Sequence, residues 1–377
     1  MSLFPLIVER IREDGPLTVA AFMELALYHP AGGYYATAAQ RSGRSGDFYT
    51  SVDVGPLFGE LLSGFVRVAM QAWRGLGPSA PPFTLCEVGA GNGRLARDLL
   101  DALEIDAPDC HADVSLALVE RSAAARAGQA ATLGRHAPRL AWSADGWPGR
   151  VDGLILANEL LDAMPVHRVT MTRGGLRELY VDLDRDRLVL REGALSTPRL
   201  AAYFDEVGVA LARGGVADVS LAAIDWLRTA AGALGRGWIV LIDYGHEAAQ
   251  LYTGPHAEGT LRSYRRHIVD GAARGLDASP PWLCDPGTQD LTAHVDFTAL
   301  QRTARAVGLE VLGFADQTHF LVGLGLAERL AGATGTSLSD VKRRLAAQAL
   351  VSPEGLGGSH RVLVLGRDAP EALGFGL

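Results

Sequence analysis

Residues 85–95, LCEVGAGNGRL, set three glycines into five positions between a short apolar run and a segment of helical periodicity. Glycine at a strand-to-helix corner supplies torsions that other residues resist and lets a ligand approach the main chain closely. The free N–H groups at the start of the following helix give that corner a partial positive charge. Such corners belong to parallel α/β sheets, which hold nucleotide-like ligands at the carboxyl ends of their strands. The neighbouring sequence alternates accordingly: 83–88, 114–119, 139–142 and 154–157 read as strands, 94–103 and 122–133 as helices. Continuous apolar strands divided by helices imply a parallel sheet covered on both faces.

The alternation stops after residue 165. The run HRVTMTRGGLRELYVDLDRDRLVLREG holds three β-rich pieces parted by RGG and DRD, the pattern of an antiparallel meander. Helical segments at 199–211 and 220–234 follow, and a buried strand returns at 238–242, ended by DYG. After a long polar loop come a helix at 297–307, a strand at 310–314, helices to residue 350 and a last strand in HRVLVLG. Ahead of the sheet, two short amphipathic helices and a Gly- and Ser-rich loop lead to a helix near Pro56, whose buried face carries Phe58, Leu61, Leu62, Phe65, Ala69 and Trp73. Ser51 or Asp53 is expected to cap it. Four segments result: a helical and lid region (1–78), the first half of a Rossmann-like domain (79–165), an inserted α+β subdomain (166–236) and the second half of the domain (237–377).

With 377 residues, 48% of them hydrophobic, the chain can bury a large core. A net charge of -8, with Lys342 the only lysine and the arginines scattered, argues against a nucleic-acid surface. Cys86, Cys110 and Cys284 have no metal or disulfide spacing, which suits a reducing compartment. No run approaches the ~20 apolar residues of a membrane span, so a soluble cytoplasmic protein is expected.

The glycine corner reads E-x-G-x-G-x-G, through Glu87, Gly89, Gly91 and Gly93. A dinucleotide fingerprint would need glycine where Arg94 stands, and Glu87 would repel a pyrophosphate. An ammonium or sulfonium would be attracted instead, and S-adenosylmethionine carries both and no phosphate. Glu120, ending the second strand, suits a pair of ribose hydroxyls, although a solvated strand end is the plainer reading. Asp145, after the third strand, suits an adenine amino group or a simple turn.

These blocks, in the order GDFYTS, EVGAGNGRL, ANELLDAMPVHR, IDYG, GTLRSYRRH and DLTAHVDF, resemble the MidA-like methyltransferases, from the first helices to about residue 325. That family includes the arginine methyltransferase of mitochondrial complex I assembly. The resemblance implies a class I S-adenosylmethionine-dependent fold with an N-terminal helical extension and an inserted subdomain. It also makes Gly46, Asp47, Phe48, Thr50 and Ser51 a lid over the cofactor; by itself the segment reads as a turn before the Pro56 helix.

Methyl transfer from a sulfonium is an in-line displacement, so the protein mainly aligns the reactants and excludes water. An arginine acceptor must also be gripped and must lose a proton, tasks suited to carboxylates. Asn158, Glu159 and Asp162, at the fourth strand's end, supply them, unless the two acids cap a helix N-terminus. His294 is placed as a proton shuttle or as a cap. No P-loop, nucleophile elbow or H-E-x-x-H pattern occurs, so no metal is expected. The expected function is methylation of an arginine in a protein or peptide. A small-metabolite or peptide natural-product acceptor, a noncatalytic assembly factor and a nucleotide-linked oxidoreductase stand as alternatives, and a homodimer is left open.

Overall fold

A computed structural model describes residues 2–36, 50–265, 268–270, 279–353 and 355–370. Its centre is an eight-stranded sheet in which the two-residue strand Val295–Asp296 pairs the end of one of seven main strands; these we number β1 (Thr84–Val88), β2 (Ser115–Val119), β3 (Leu140–Ala144), β4 (Val151–Asn158), β5 (Leu234–His246), β6 (Glu310–Asp316) and β7 (His360–Arg367). Their spatial order is β6-β7-β5-β4-β1-β2-β3. The first five are parallel, whereas β7 runs antiparallel to both β5 and β6, so the sheet is mostly, not wholly, parallel. The chain reverses its lateral progress beside β1, and that switch point is where open α/β sheets bind ligands.

Strand side chains divide by strict alternation between two apolar layers. Leu85, Leu116, Leu154, Leu156 and Val240 enter one core, with helices α3 (Leu57–Arg74) and α4 (Arg94–Asp106), taken with α1 (Phe4–Asp14) and α2 (Val19–Tyr28) as the first four helices described. Cys86, Ala117, Ile155, Ala157 and Leu241 enter the other, against helices Leu221–Ala233 and Phe297–Ala306. Burial on both faces is why these strands read as unbroken apolar runs. Helices α3 and α4 approach closely: a Cβ on Gly59 would lie 2.7 Å from that of Asp98.

Between β4 and β5 lies a second sheet. The meander His167–Thr172, Gly175–Asp184 and Arg187–Gly193 is present. It gains two further strands: Val216–Val219 pairs the outer edge of His167–Thr172, and the distant Leu17–Thr18 pairs Tyr180 and Val181 of the middle strand. Both are too short to show a period-two pattern. The expected helix 199–211 ends at Val207, where Gly208 turns left-handed at φ 74°. Ala233 closes the next helix and Leu234 already begins β5. The polar loop after β5 holds a small antiparallel sheet, Ile268–Asp270, Arg262–Arg265 and Asp290–Thr292. No helix of the described residues is long and apolar enough to cross a membrane.

Candidate active site

The glycine corner folds as its composition requires. Gly89, Gly91 and Gly93 all have positive φ, at 73°, 52° and 87°. A Cβ on Gly89 would lie 2.9 Å from Leu160 Cδ1, so that glycine permits packing against the β4 tip. At Gly91 a Cβ would meet nothing within 4 Å, so its freedom serves the turn and the open space beside it. Arg94, where a dinucleotide fingerprint has glycine, forms an ion pair of 2.7 Å with Asp53 and donates to the Val52 carbonyl. Asp53 is thereby tied to α4 and does not cap α3, whose N-cap is Pro56 with no side-chain bond.

Glu120 is not a solvated strand end. Its carboxylate accepts from Gly91 N–H at 2.8 Å and from Ser122 N–H at 2.6 Å, joining the end of β2 to the glycine corner. Glu87 is buried, one of its oxygens has no partner, and burial pushes its pKa up to about 8. Asp145 lines the same space. Gly46, Asp47 and Phe48 lie outside the described residues. Thr50 also lines that space, and its N–H and hydroxyl bond Asp53.

At the tip of β4 no helix follows, so Glu159 and Asp162 cap none. The turn is held by Asp243, the acid of IDYG, whose Oδ2 accepts from the N–H groups of Leu160 at 3.0 Å, Leu161 at 2.7 Å and Asp162 at 3.4 Å. Glu159 sits at φ 50°, a region that costs a non-glycine residue roughly 1–2 kcal/mol. Its backbone N–H donates to Ile242 O, and its Oε1 accepts from Ser51 N–H at 2.7 Å. Burial pushes its carboxyl up to about 8 against the pull of that bond, and Asp243 adds repulsion. Asp162, buried beside Asp243, Asp290 and Glu159, is held well above the usual range for the same two reasons. Neither Glu159 nor Asp162 pairs with an arginine or lysine among the described residues.

Glu87, Gly89, Gly91, Glu120, Asp145, Asn158, Glu159 and Asp162 border one cavity of about 1150 Å³, which runs from the glycine corner to the β4 tip, whereas Gly93, Ser51, Asp53 and Asp243 stand behind its wall. Its aromatic wall comes from Tyr28, Tyr35, Tyr244 and Tyr264. Three of the hydroxyls donate to fixed partners: Tyr28 to Ala163 O, Tyr35 to Asp290 and Tyr244 to Thr292. His360, on β7, also borders it, with Nε2 3.8 Å from Glu159. His294 borders it too, but burial pushes its imidazole down to about 3, far from the range of a proton shuttle at neutral pH.

Asp243, Tyr28, Asp290 and His360 escaped the sequence reading. Asp243 and Asp290 had a signal, since they stand in the IDYG and DLTAHVDF blocks; Tyr28 and His360 had none. Asp243→Ala is expected to destabilise the fold by about 3 kcal/mol, because three N–H groups lose their acceptor; a lowered urea midpoint is the measure.

A glycine-lined corner with a buried acid behind it and a second acid at the β2 tip, on this sheet order, is the binding corner of a class I S-adenosylmethionine-dependent methyltransferase. The unpartnered oxygen of Glu87 and the open space at Gly91 fit a cationic adenosyl compound. The chain belongs to the MidA-like family of these enzymes. The family described as putative S-adenosyl-L-methionine-dependent methyltransferase matches residues 65–315. The chain is 31% identical over 346 residues to the Mus musculus mitochondrial protein arginine methyltransferase NDUFAF7, covering 85% of this chain and 73% of the relative. The Homo sapiens protein of that name is 30% identical over 352 residues, with the same coverage. A superfamily member from Burkholderia thailandensis, crystallised with S-adenosyl-homocysteine, superposes with a TM-score of 0.85 at 31% identity, covering 98% of this chain and 93% of its own.

Binding of that cofactor has a pH signature. Glu87 and Glu159 have folded-state values near 8 against about 4.5 when unfolded, so their contribution to stability is fully present below pH 4.5 and is lost as pH rises through 8. The thermal midpoint of the ligand-free protein is expected to fall between pH 6 and about 8.5, and the rise given by saturating S-adenosylmethionine to grow over the same interval. A pH-independent increment in scanning calorimetry would contradict this.

Proposed function

We propose that this methyltransferase acts on an arginine nitrogen of a protein or peptide. The observation that carries the reading is the group of buried carboxylates at the β4 tip, Glu159 and Asp162 with Asp290 beside them, which lines a tyrosine-walled cavity continuous with the cofactor corner. Such a group is costly unless a cation comes to it. A guanidinium meets the need, because it presents a fork of N–H donors to carboxylate oxygens and stacks against aromatic rings. The names of the mouse and human relatives agree with this acceptor.

The cofactor would supply an electrophilic methyl group on a cationic sulfur, whose bond to that methyl breaks as the neutral thioether leaves. The chain's own residues do the rest. Glu120 and Glu87 would hold the ribose and the cationic end. Glu159 grips the guanidinium through its carboxylate and draws the proton from the nitrogen as the N–C bond forms; with a value near 8 when no cation is bound, it is a base matched to neutral pH. Asp162, three residues further along the same loop, gives up its proton when the cation arrives and adds a second negative charge. The tyrosine wall excludes water, and Asp243 fixes the backbone of the turn that aims Glu159.

Incubating a cell lysate with the purified enzyme and tritiated-methyl S-adenosylmethionine, followed by mass spectrometry of labelled proteins, tests the acceptor. Methylarginine in labelled peptides is expected. Label confined to small molecules, or to lysine or carboxylate side chains, would overturn the arginine reading.

A further inference from the structure

Three imidazoles far apart in sequence converge beside the cavity. His246 ends β5, His256 ends the short helical turn Gly254–His256, and His294 precedes the two-residue strand Val295–Asp296. Ring centroids are 5.0 Å apart for His246 and His256, 5.4 Å for His246 and His294, and 5.0 Å for His256 and His294. One ring nitrogen from each lies within 4.8 Å of the other two.

Backbone pairing creates this meeting. Gly245 and His246 pair in parallel with Val295 and Asp296, and a Cβ on Gly245 would lie 2.1 Å from Val295 O, so only glycine allows the approach. The His294 N–H donates to Thr260 Oγ1 at 3.1 Å. The His256 carbonyl accepts from Gly259 N–H at 2.9 Å, and its N–H donates to Thr253 O.

Contact between three imidazoles needs a reason. Among the described residues no hydrogen bond joins these rings, and Nδ1 of His294 is buried without a partner. Burial lowers all three below their ordinary value, helped by neighbouring imidazoles at His246 and His294 and by Arg262 at His256, so at neutral pH each ring keeps a free lone pair. We propose that His246, His256 and His294 bind one borderline divalent transition metal ion, Zn²⁺ in the first instance, with a fourth coordination position left open. Neutral imidazole is the preferred ligand of such ions, whereas Mg²⁺ and Ca²⁺ seek oxygen ligands that this cluster does not offer. Tetrahedral zinc at about 2.0–2.1 Å from each nitrogen draws ligand atoms closer than they stand here, a change that small ring rotations achieve. Arg262 and Arg361 lie near the cluster and add repulsion for a cation. Arg262 directs its guanidinium to the carbonyls of Gly259 and Leu261, so it does not occupy a coordination position. Because His294 also borders the large cavity, the ion would adjoin the acceptor side of the active site.

The test uses tag-free full-length protein dialysed against EDTA and then titrated with zinc chloride by calorimetry, without cofactor or substrate. One equivalent per chain is expected, and cobalt chloride should give the intense visible absorption of a tetrahedral site. His256→Ala and, separately, His246→Gln should each weaken zinc binding by about tenfold or more, that is, at least ~1.4 kcal/mol. Unchanged far-ultraviolet circular dichroism qualifies each variant; if one fails to fold, the other decides. Binding below one equivalent, or equal affinity in a folded variant, would overturn the proposal. Methyl transfer is not part of the readout, so either result leaves the acceptor question where it stands.

Discussion

Glu159→Gln is expected to lower kcat by about 100-fold or more while S-adenosylmethionine affinity changes by less than about twofold. The substitution keeps the side-chain length, the left-handed backbone and an oxygen able to accept from Ser51 N–H, so the turn at the β4 tip should persist. What it removes is the negative charge facing the acceptor and the group that takes its proton. The dependence on pH separates this from a packing defect. In the parent, kcat/KM for the free enzyme should rise with pH as the Glu159 carboxyl loses its proton near 8, and the variant should lack that limb. Tritium transfer to the identified acceptor, read at several pH values, checks both parts. Parental turnover in Glu159→Gln would remove the assignment.

Glu120→Ala is expected to weaken S-adenosylmethionine and S-adenosylhomocysteine by about 100-fold, or about 2.7 kcal/mol. Two charge-assisted bonds to ribose hydroxyls would go, and so would the brace from Glu120 to Gly91 N–H that holds the glycine corner against the β2 tip. Gly91 and Ser122 N–H also lose their acceptor, so the thermal midpoint of the ligand-free protein should fall as well, and the affinity is read well below that midpoint. Calorimetric titration of the variant with S-adenosylhomocysteine measures the effect. An affinity within threefold of the parent would place the ribose elsewhere.

The two variants address groups of different legibility. Gly89, Gly91, Gly93 and Glu120 could be read from the chain because a strand, a glycine corner and a following acid recur at short range. Glu159 and Asp162 could be found, but their helix-cap alternative could not be dismissed without seeing that no helix begins there. Asp243 escaped a functional reading although its motif was noticed, because its partners are backbone N–H groups more than eighty positions away in sequence. Tyr28 and His360 carry no local signal: one reaches the cavity from α2, the other from the penultimate stretch of the fold. The extra strands Leu17–Thr18 and Val216–Val219 exist only because a sheet edge recruits them. The His246, His256 and His294 cluster was hidden for the same reason, since its spacing in sequence matches no metal motif.

The place of β7 bears on how the protein is made. It lies between β5 and β6 although the ribosome delivers it after both, and β6 has no other neighbour in the central sheet. Until residues 360–367 emerge, a nascent chain carries β5 with one open flank, an edge whose central stretch Trp238–Ile242 is apolar and of the sort that invites pairing with other chains. Chaperone demand should therefore peak late in synthesis, and a fragment ending near residue 315 should collect in inclusion bodies even though it contains the glycine corner and both strand-tip acids.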